Sequence, residues 1–298
     1  MGEKPWRADA IVRLGASVVI CCLMGAVVAE VFRYFGAPPG RATVWFVALS
    51  IGAFGCFGGA LLTLMRPWPF ESYMQKLLVL LCCVWAAFFL MWLAERLLPR
   101  QDEIENSTIT VLITVLAFQG AALVLVHFFL REHHTNWAAG FGFDNNTGHA
   151  LLLGACVGII VLPVIWVILI LSSLALESLN FHTHEQEIVV ILRSTEGWEN
   201  RLVMGIATIA IAPFAEEILF RGILYPTIKR TGHQQLALWT TALVFAAIHL
   251  DVEKFLPLAF LAIVLIYLYE YTGNLLACIA AHSLFNAANF IALYLFQK

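Results

Sequence analysis

Glu216, Glu217 and Arg221 stand together in the stretch "PFAEEILFRG" (Pro213 to Gly222), with "LVMGIATIAIA" before it and "ILYP" after it. A charge at mid-membrane costs roughly 2.5–3.5 kcal/mol on insertion scales, so three such groups need compensation. Glu217 and Arg221 are four residues apart, share one helix face and can pair. Glu216 lies about 100° round the helix from Glu217, which leaves it free to face a different cavity. Pro213 cannot donate to the residue four before it, and Gly222 lets another helix approach closely. An ion pair anchoring a helix end would account for Glu217 and Arg221 but would leave Glu216 alone, so the stretch reads as functional.

Two further polar groupings interrupt apolar runs. In "FAAIH" (Phe245 to His249) the aromatic ring shares a face with His249 and can fix the imidazole by packing. In "HSLFN" (His282 to Asn286) the four-residue spacing puts both polar side chains on one face, among small residues suited to close helix contact. Asn289 extends that stripe. Read singly, His249 fits a helix-end histidine, and His282 with Asn286 fits interhelical hydrogen bonding. Together the three stretches supply carboxylates, imidazoles, an amide and a guanidinium. A carboxylate and an imidazole can exchange a proton with water, and amide or imidazole N–H groups can donate to a developing oxyanion. These parts suffice for attack of an activated water on an amide carbonyl without a serine or cysteine nucleophile.

The elements that must hold these groups are membrane helices. The 298-residue chain is 61% hydrophobic and 12% charged, with a mean hydropathy of +0.85. Soluble domains are nearer half apolar and a quarter charged. The net charge of -3 and the lack of any basic run longer than two residues give no sign of nucleic-acid binding, so no nucleic-acid partner is expected. All seven cysteines lie in apolar runs, as small buried hydrophobes do. Spans of roughly 20 apolar residues are predicted at about 9–32, 43–65, 76–94, 108–130, 149–176, 202–225, 235–250, 255–272 and 274–296. The seventh is short, so the expected fold class is all-α, a polytopic transmembrane helix bundle of eight or nine spans. The first is read as a retained helix, because a signal peptide has a shorter apolar core. Basic residues divide evenly between alternate loops and leave orientation undecided. Motif content divides the chain at 145: residues 1–145 hold helices without an assignable motif, and residues 146–298 hold the chemistry, with a polar surface segment at 177–200. Trp6, Trp68, Trp137 and Trp198 are placed nearer the interfaces, as an aromatic belt would be.

The ordered set Glu-Glu-x-x-x-Arg, Phe-x-x-x-His and His-x-x-x-Asn on successive apolar helices resembles the CPBP family of intramembrane proteases. That family includes the CAAX-processing prenyl endopeptidases and the bacterial Abi or bacteriocin-immunity proteins. "EQE" at 185–187 with the amphipathic "IVVIL" after it looks like the segment preceding the core helices in bacterial members. The resemblance covers about residues 180–290. It implies that Glu216 is the base that activates water with His249 assisting, that His282 and Asn286 bind the scissile carbonyl and its oxyanion, and that Glu217 and Arg221 pair to hold the helix. It also implies a peptide or protein substrate at the membrane, lipidated in some members. A metal-free site is the preferred expectation, with a bound divalent metal such as zinc as the alternative.

Other clusters read as surface. "HTHEQE" (182–187) and "EHH" (132–134) lie in polar loops where solvated His and Glu are common. The rival functions are a transporter or proton channel using buried Glu and His, against which no inverted repeat is evident, and a non-catalytic immunity or binding protein of the membrane.

Overall fold

The computed structural model describes residues 4–34, 41–68, 72–97, 108–179 and 197–295. The described residues are helical and contain no strand. Among the described residues eight helices are long and apolar enough to cross a membrane: Ala8–Phe32, Thr43–Leu64, Tyr73–Ala94, Val111–Glu132, Thr147–Ser178, Trp198–Lys229, Val252–Thr272 and Leu275–Leu295. The protein is an integral, multi-pass, all-α membrane protein. Helices are the element a bilayer requires, because each backbone N–H and C=O then finds its partner within the segment. Among the described residues the short seventh segment is not one of these eight. Its helix, Gln234–Ala247, has 14 residues, about 21 Å of rise, which falls short of a hydrocarbon core near 30 Å.

By internal contacts the chain divides into two units, Arg7–Phe129 and a second made of Met1–Trp6 with Leu130–Lys298. Residues 130–145, grouped by motif content with the first half, pack with the second. The segment at 180–196, which holds "HTHEQE" and the "EQE" resemblance, lies outside the described residues.

The Arg7–Phe129 unit has its own core. Ile20 and Val27 of the first helix meet Ala53, Phe57, Ala60 and Leu64 of the second and Ala87 of the third. A Cβ at Gly25 would fall 2.0 Å from the Ala117 methyl, so the first and fourth helices touch only because that position is glycine.

In the other unit, Thr147–Ser178 lies along Leu275–Leu295. A Cβ at Gly154 would stand 2.2 Å from the Ala277 carbonyl oxygen, and one at Gly158 would stand 3.1 Å from the Ala281 Cα. The two glycines, four apart, let the helix press its backbone against the turn just before His282. Local signals set the helix ends around the site. Asp251 caps Val252–Thr272 by accepting the Lys254 N–H at 3.1 Å. Gly273, at φ 61°, ends that helix in the left-handed conformation. Asn274 then accepts the Leu276 N–H at 2.9 Å, so the last helix begins after a two-residue turn. The Asn274 amide also donates to the Asn145 carbonyl at 2.8 Å, tying this turn to the loop before Thr147.

Candidate active site

The span Trp198–Lys229 carries the carboxylates, and its backbone departs twice from α geometry. Residues Ala207–Ile211 and Ile218–Leu224 are π-helical, on either side of the α-helical Ala212–Glu217. π-Turns inside α-helices occur often at functional sites. Proline sets the register at each. The Ala212 N–H reaches the Ala207 carbonyl, five residues back. The same register would next match residue 213 with the Thr208 carbonyl, but Pro213 has no N–H. Asn286, on the last helix, supplies the missing donor: its Nδ2 donates to the Thr208 carbonyl at 2.8 Å. At the second π-turn the α partner of the Gly222 carbonyl is residue 226, again a proline, and the Trp6 indole N–H donates there at 3.1 Å.

Between the two prolines the ionised groups converge on one imidazole. Glu217 Oε1 accepts from Arg221 Nη1 and from His282 Nδ1, both at 2.8 Å. Glu216 Oε2 lies 3.9 Å from His282 Nε2. His282 therefore stands between two adjacent carboxylates, with one nitrogen toward each. Because its Nδ1–H serves the Glu217 carboxylate, the ring turns its Nε2 toward Glu216. The 3.9 Å gap exceeds hydrogen-bond reach and suits one bridging water. Glu217 and Arg221 are fully buried, whereas Glu216 keeps 9% of its surface and His249 is half-buried. Glu217 and Arg221 thus form the most deeply buried part of the site, and Glu216 and His249 its less buried side.

Phe245 binds these groups into one cluster. The Arg221 guanidinium carbon lies 4.4 Å from the centre of its ring, close enough for a cation–π contact. The His249 and His282 rings pack on it with centroids 5.0 and 5.8 Å away, and Phe220 meets it edge-on at 5.2 Å. His249 Nδ1 donates to the Phe245 carbonyl at 2.7 Å, which directs Nε2 outward as the acceptor nitrogen of the neutral ring. Glu216 is within electrostatic reach of both histidines, of Glu217 and of Arg221. Among the described residues no three His, Cys, Asp or Glu side chains stand close enough to hold a metal ion.

Of the residues singled out from the sequence, Glu216, Glu217, Arg221, His249 and His282 gather around Phe245. Asn286 lies one turn along and gives an amide proton to backbone. Asn289 turns elsewhere, donating to the Phe285 carbonyl at 3.0 Å and accepting from the Trp166 indole at 3.3 Å. Glu216 shares His282 with Glu217 instead of facing a separate cavity. Two participants went unmarked, the Thr208 carbonyl and Trp6. Trp6 is only 2% exposed and packs inside the protein. The only available signal was the pair of prolines, whose missing N–H groups predict orphan carbonyls but not who satisfies them.

Residues 198–288 match the family model described as type II CAAX prenyl endopeptidase Rce1-like. This stretch is thus similar to an Rce1-like domain. It runs from the start of the carboxylate-bearing span to just past Asn286, so Glu216, Glu217, Arg221, His249, His282 and Asn286 all fall within it, whereas Asn289 and Trp6 do not. Over 84 residues the chain is also 37% identical to the uncharacterized protein YpbD of Bacillus subtilis (strain 168), a match covering 27% of this chain. The chain spans about 40% of the length of that relative. No solved structure matches. The Rce1-like domain therefore agrees with the CPBP resemblance drawn from the ordered Glu-Glu-x-x-x-Arg, Phe-x-x-x-His and His-x-x-x-Asn motifs.

Proposed function

We propose that the protein is an intramembrane endopeptidase that hydrolyses a peptide bond of a membrane-associated peptide or protein with a glutamate-activated water. The observation that carries this reading is His282 between Glu216 and Glu217 in a buried cluster. Glu216 takes a proton from a water in the gap beside His282 Nε2, with the His249 Nε2 as a second acceptor. The water oxygen forms a bond to the carbonyl carbon as the carbonyl π pair moves onto oxygen. His282, held at Nδ1 by Glu217, gives that oxyanion a hydrogen bond from an Nε2–H that it keeps throughout; the second Asn286 N–H assists. As the intermediate collapses, the C–N bond breaks and the leaving amine takes the proton from Glu216. Glu217 supports the charged imidazole much as a buried aspartate does in a hydrolase triad, while Arg221 balances the second negative charge.

These steps require no cofactor. Zinc would be held by Glu216, His249 and His282, and the anchoring of each histidine through Nδ1 is the orientation metal-bound histidines use. As placed, however, these groups do not gather into a ligand set, so no step runs through a metal. The family's description points to prenylated CAAX tails as the substrate class, and the hydropathy of the chain points to a cellular membrane as its site. The test compares membranes carrying wild type with membranes carrying Glu216→Ala, by mass spectrometry of released peptides. Peptides whose new termini appear with wild type alone support the reading. Identical peptide sets, with both proteins present in equal amount, exclude it.

A further inference from the structure

Lys4–Trp6 take no part in the steps above, yet they pack on the helix that carries the carboxylates. Lys4 Nζ donates to the Gly140 carbonyl at 2.8 Å. Arg230 Nη1, just past the end of the carboxylate helix, donates to the carbonyls of both Lys4 and Trp6 at 2.8 Å. The Trp6 ring stands edge-on to His133, centroids 5.4 Å apart, and tilts against Phe141 at 6.4 Å. Its indole N–H ends on the Gly222 carbonyl. Phe141 in turn closes on Gly222, where a Cβ would fall 2.6 Å from its ring. The strap is therefore fixed to a single point of the π-helical turn, one residue after Arg221.

We infer that Trp6 is a positioning residue: its indole N–H replaces the backbone donor that Pro226 lacks and so holds the π-turn in the register that aims Arg221 and, through it, Glu217 and His282. The inference rests on the reading of Glu216 and Glu217 as the catalytic carboxylates. A buried carbonyl left without a donor is costly; an α register opposes Gly222 only to Pro226, so a free Gly222 carbonyl would recover a partner only if the turn rewound to bring up the Thr227 N–H, five residues on. Arg221 is the adjacent residue on the same backbone, so rewinding would draw its guanidinium from Glu217 Oε1 and loosen the carboxylate that orients His282.

The test uses the full chain in detergent as wild type, Trp6→Phe, Pro226→Ala and Trp6→Phe/Pro226→Ala. Phenylalanine keeps the ring packing and removes the N–H; alanine at 226 returns a backbone N–H. Hydrogen exchange of peptides covering 218–227 is compared with that of peptides covering 234–247. Trp6→Phe raises exchange in 218–227 roughly tenfold, the scale of one unmade buried hydrogen bond, and leaves 234–247 unchanged. The double variant returns toward wild type. On a peptide that wild type cleaves, Trp6→Phe lowers kcat with KM unchanged, and the double variant restores it. Unchanged exchange in Trp6→Phe, a rise of equal size in both regions, or no recovery in the double variant would each overturn the inference. Absence of turnover in wild type bears on the proposed reaction, whereas the exchange measurement decides the strap by itself.

Discussion

At the scale of single residues, the site depends on how one imidazole divides its two nitrogens between neighbouring carboxylates. Glu217 neutralises Arg221 and orients His282 from a single oxygen, so its two duties can be separated by mutation. Glu217→Gln leaves the buried guanidinium uncompensated, a loss of about 3–5 kcal/mol for a broken buried pair. Its thermal unfolding in detergent falls well below wild type and turnover is lost. Glu217→Gln/Arg221→Met removes both charges; its unfolding temperature recovers while turnover stays absent, because His282 still lacks its carboxylate. Equal recovery of both would show that the pair serves stability alone. These residues stood out in the sequence because ionisable groups are conspicuous in hydrocarbon. The sharing of His282 did not. Adjacent helical side chains do diverge by about 100°, but an imidazole presents nitrogens on two edges and can be approached from both.

At the scale of elements, proline placement decides which carbonyls need outside donors. Pro213 releases the Thr208 carbonyl to Asn286, so the two should be coupled. Asn286→Ala destabilises the protein by about 1–3 kcal/mol, the cost of an unpaired buried carbonyl. In a Pro213→Ala background, where a backbone N–H is available, the same change costs less, and a thermal double-mutant cycle measures the difference. Additive effects would mean that the bond is incidental. Close helix contact is the second element-level requirement. Gly154→Val places side-chain atoms against the Ala277 carbonyl oxygen, already 2.2 Å from a bare Cβ. It forces the helices apart just before His282, lowering both unfolding temperature and turnover in the purified protein. The spans themselves were legible from hydropathy to within a few residues. The π-turns were not, since hydropathy carries no information about hydrogen-bond register, and Trp6 looked like an interfacial aromatic because its partner is a backbone carbonyl distant in sequence.

At the scale of the whole molecule, the unit formed by Met1–Trp6 and Leu130–Lys298 holds every group the proposed chemistry uses. The Arg7–Phe129 unit packs around its own apolar core and supplies none of them. Motif content could locate the chemistry in the second half, but it could not place residues 4–6 there, because that assignment rests on contacts made across more than 200 positions. The proposed reaction turns on Glu216 activating the attacking water. The most direct measurement is the single-turnover cleavage rate of a membrane peptide verified as a substrate, for wild type and Glu216→Gln in detergent, each with and without a divalent-metal chelator. Glu216→Gln loses about 10²–10⁴-fold, the usual contribution of a general base, and the chelator leaves the wild-type rate unchanged. A Glu216→Gln rate equal to wild type, or a wild-type rate abolished by the chelator and restored by zinc, would contradict that reaction.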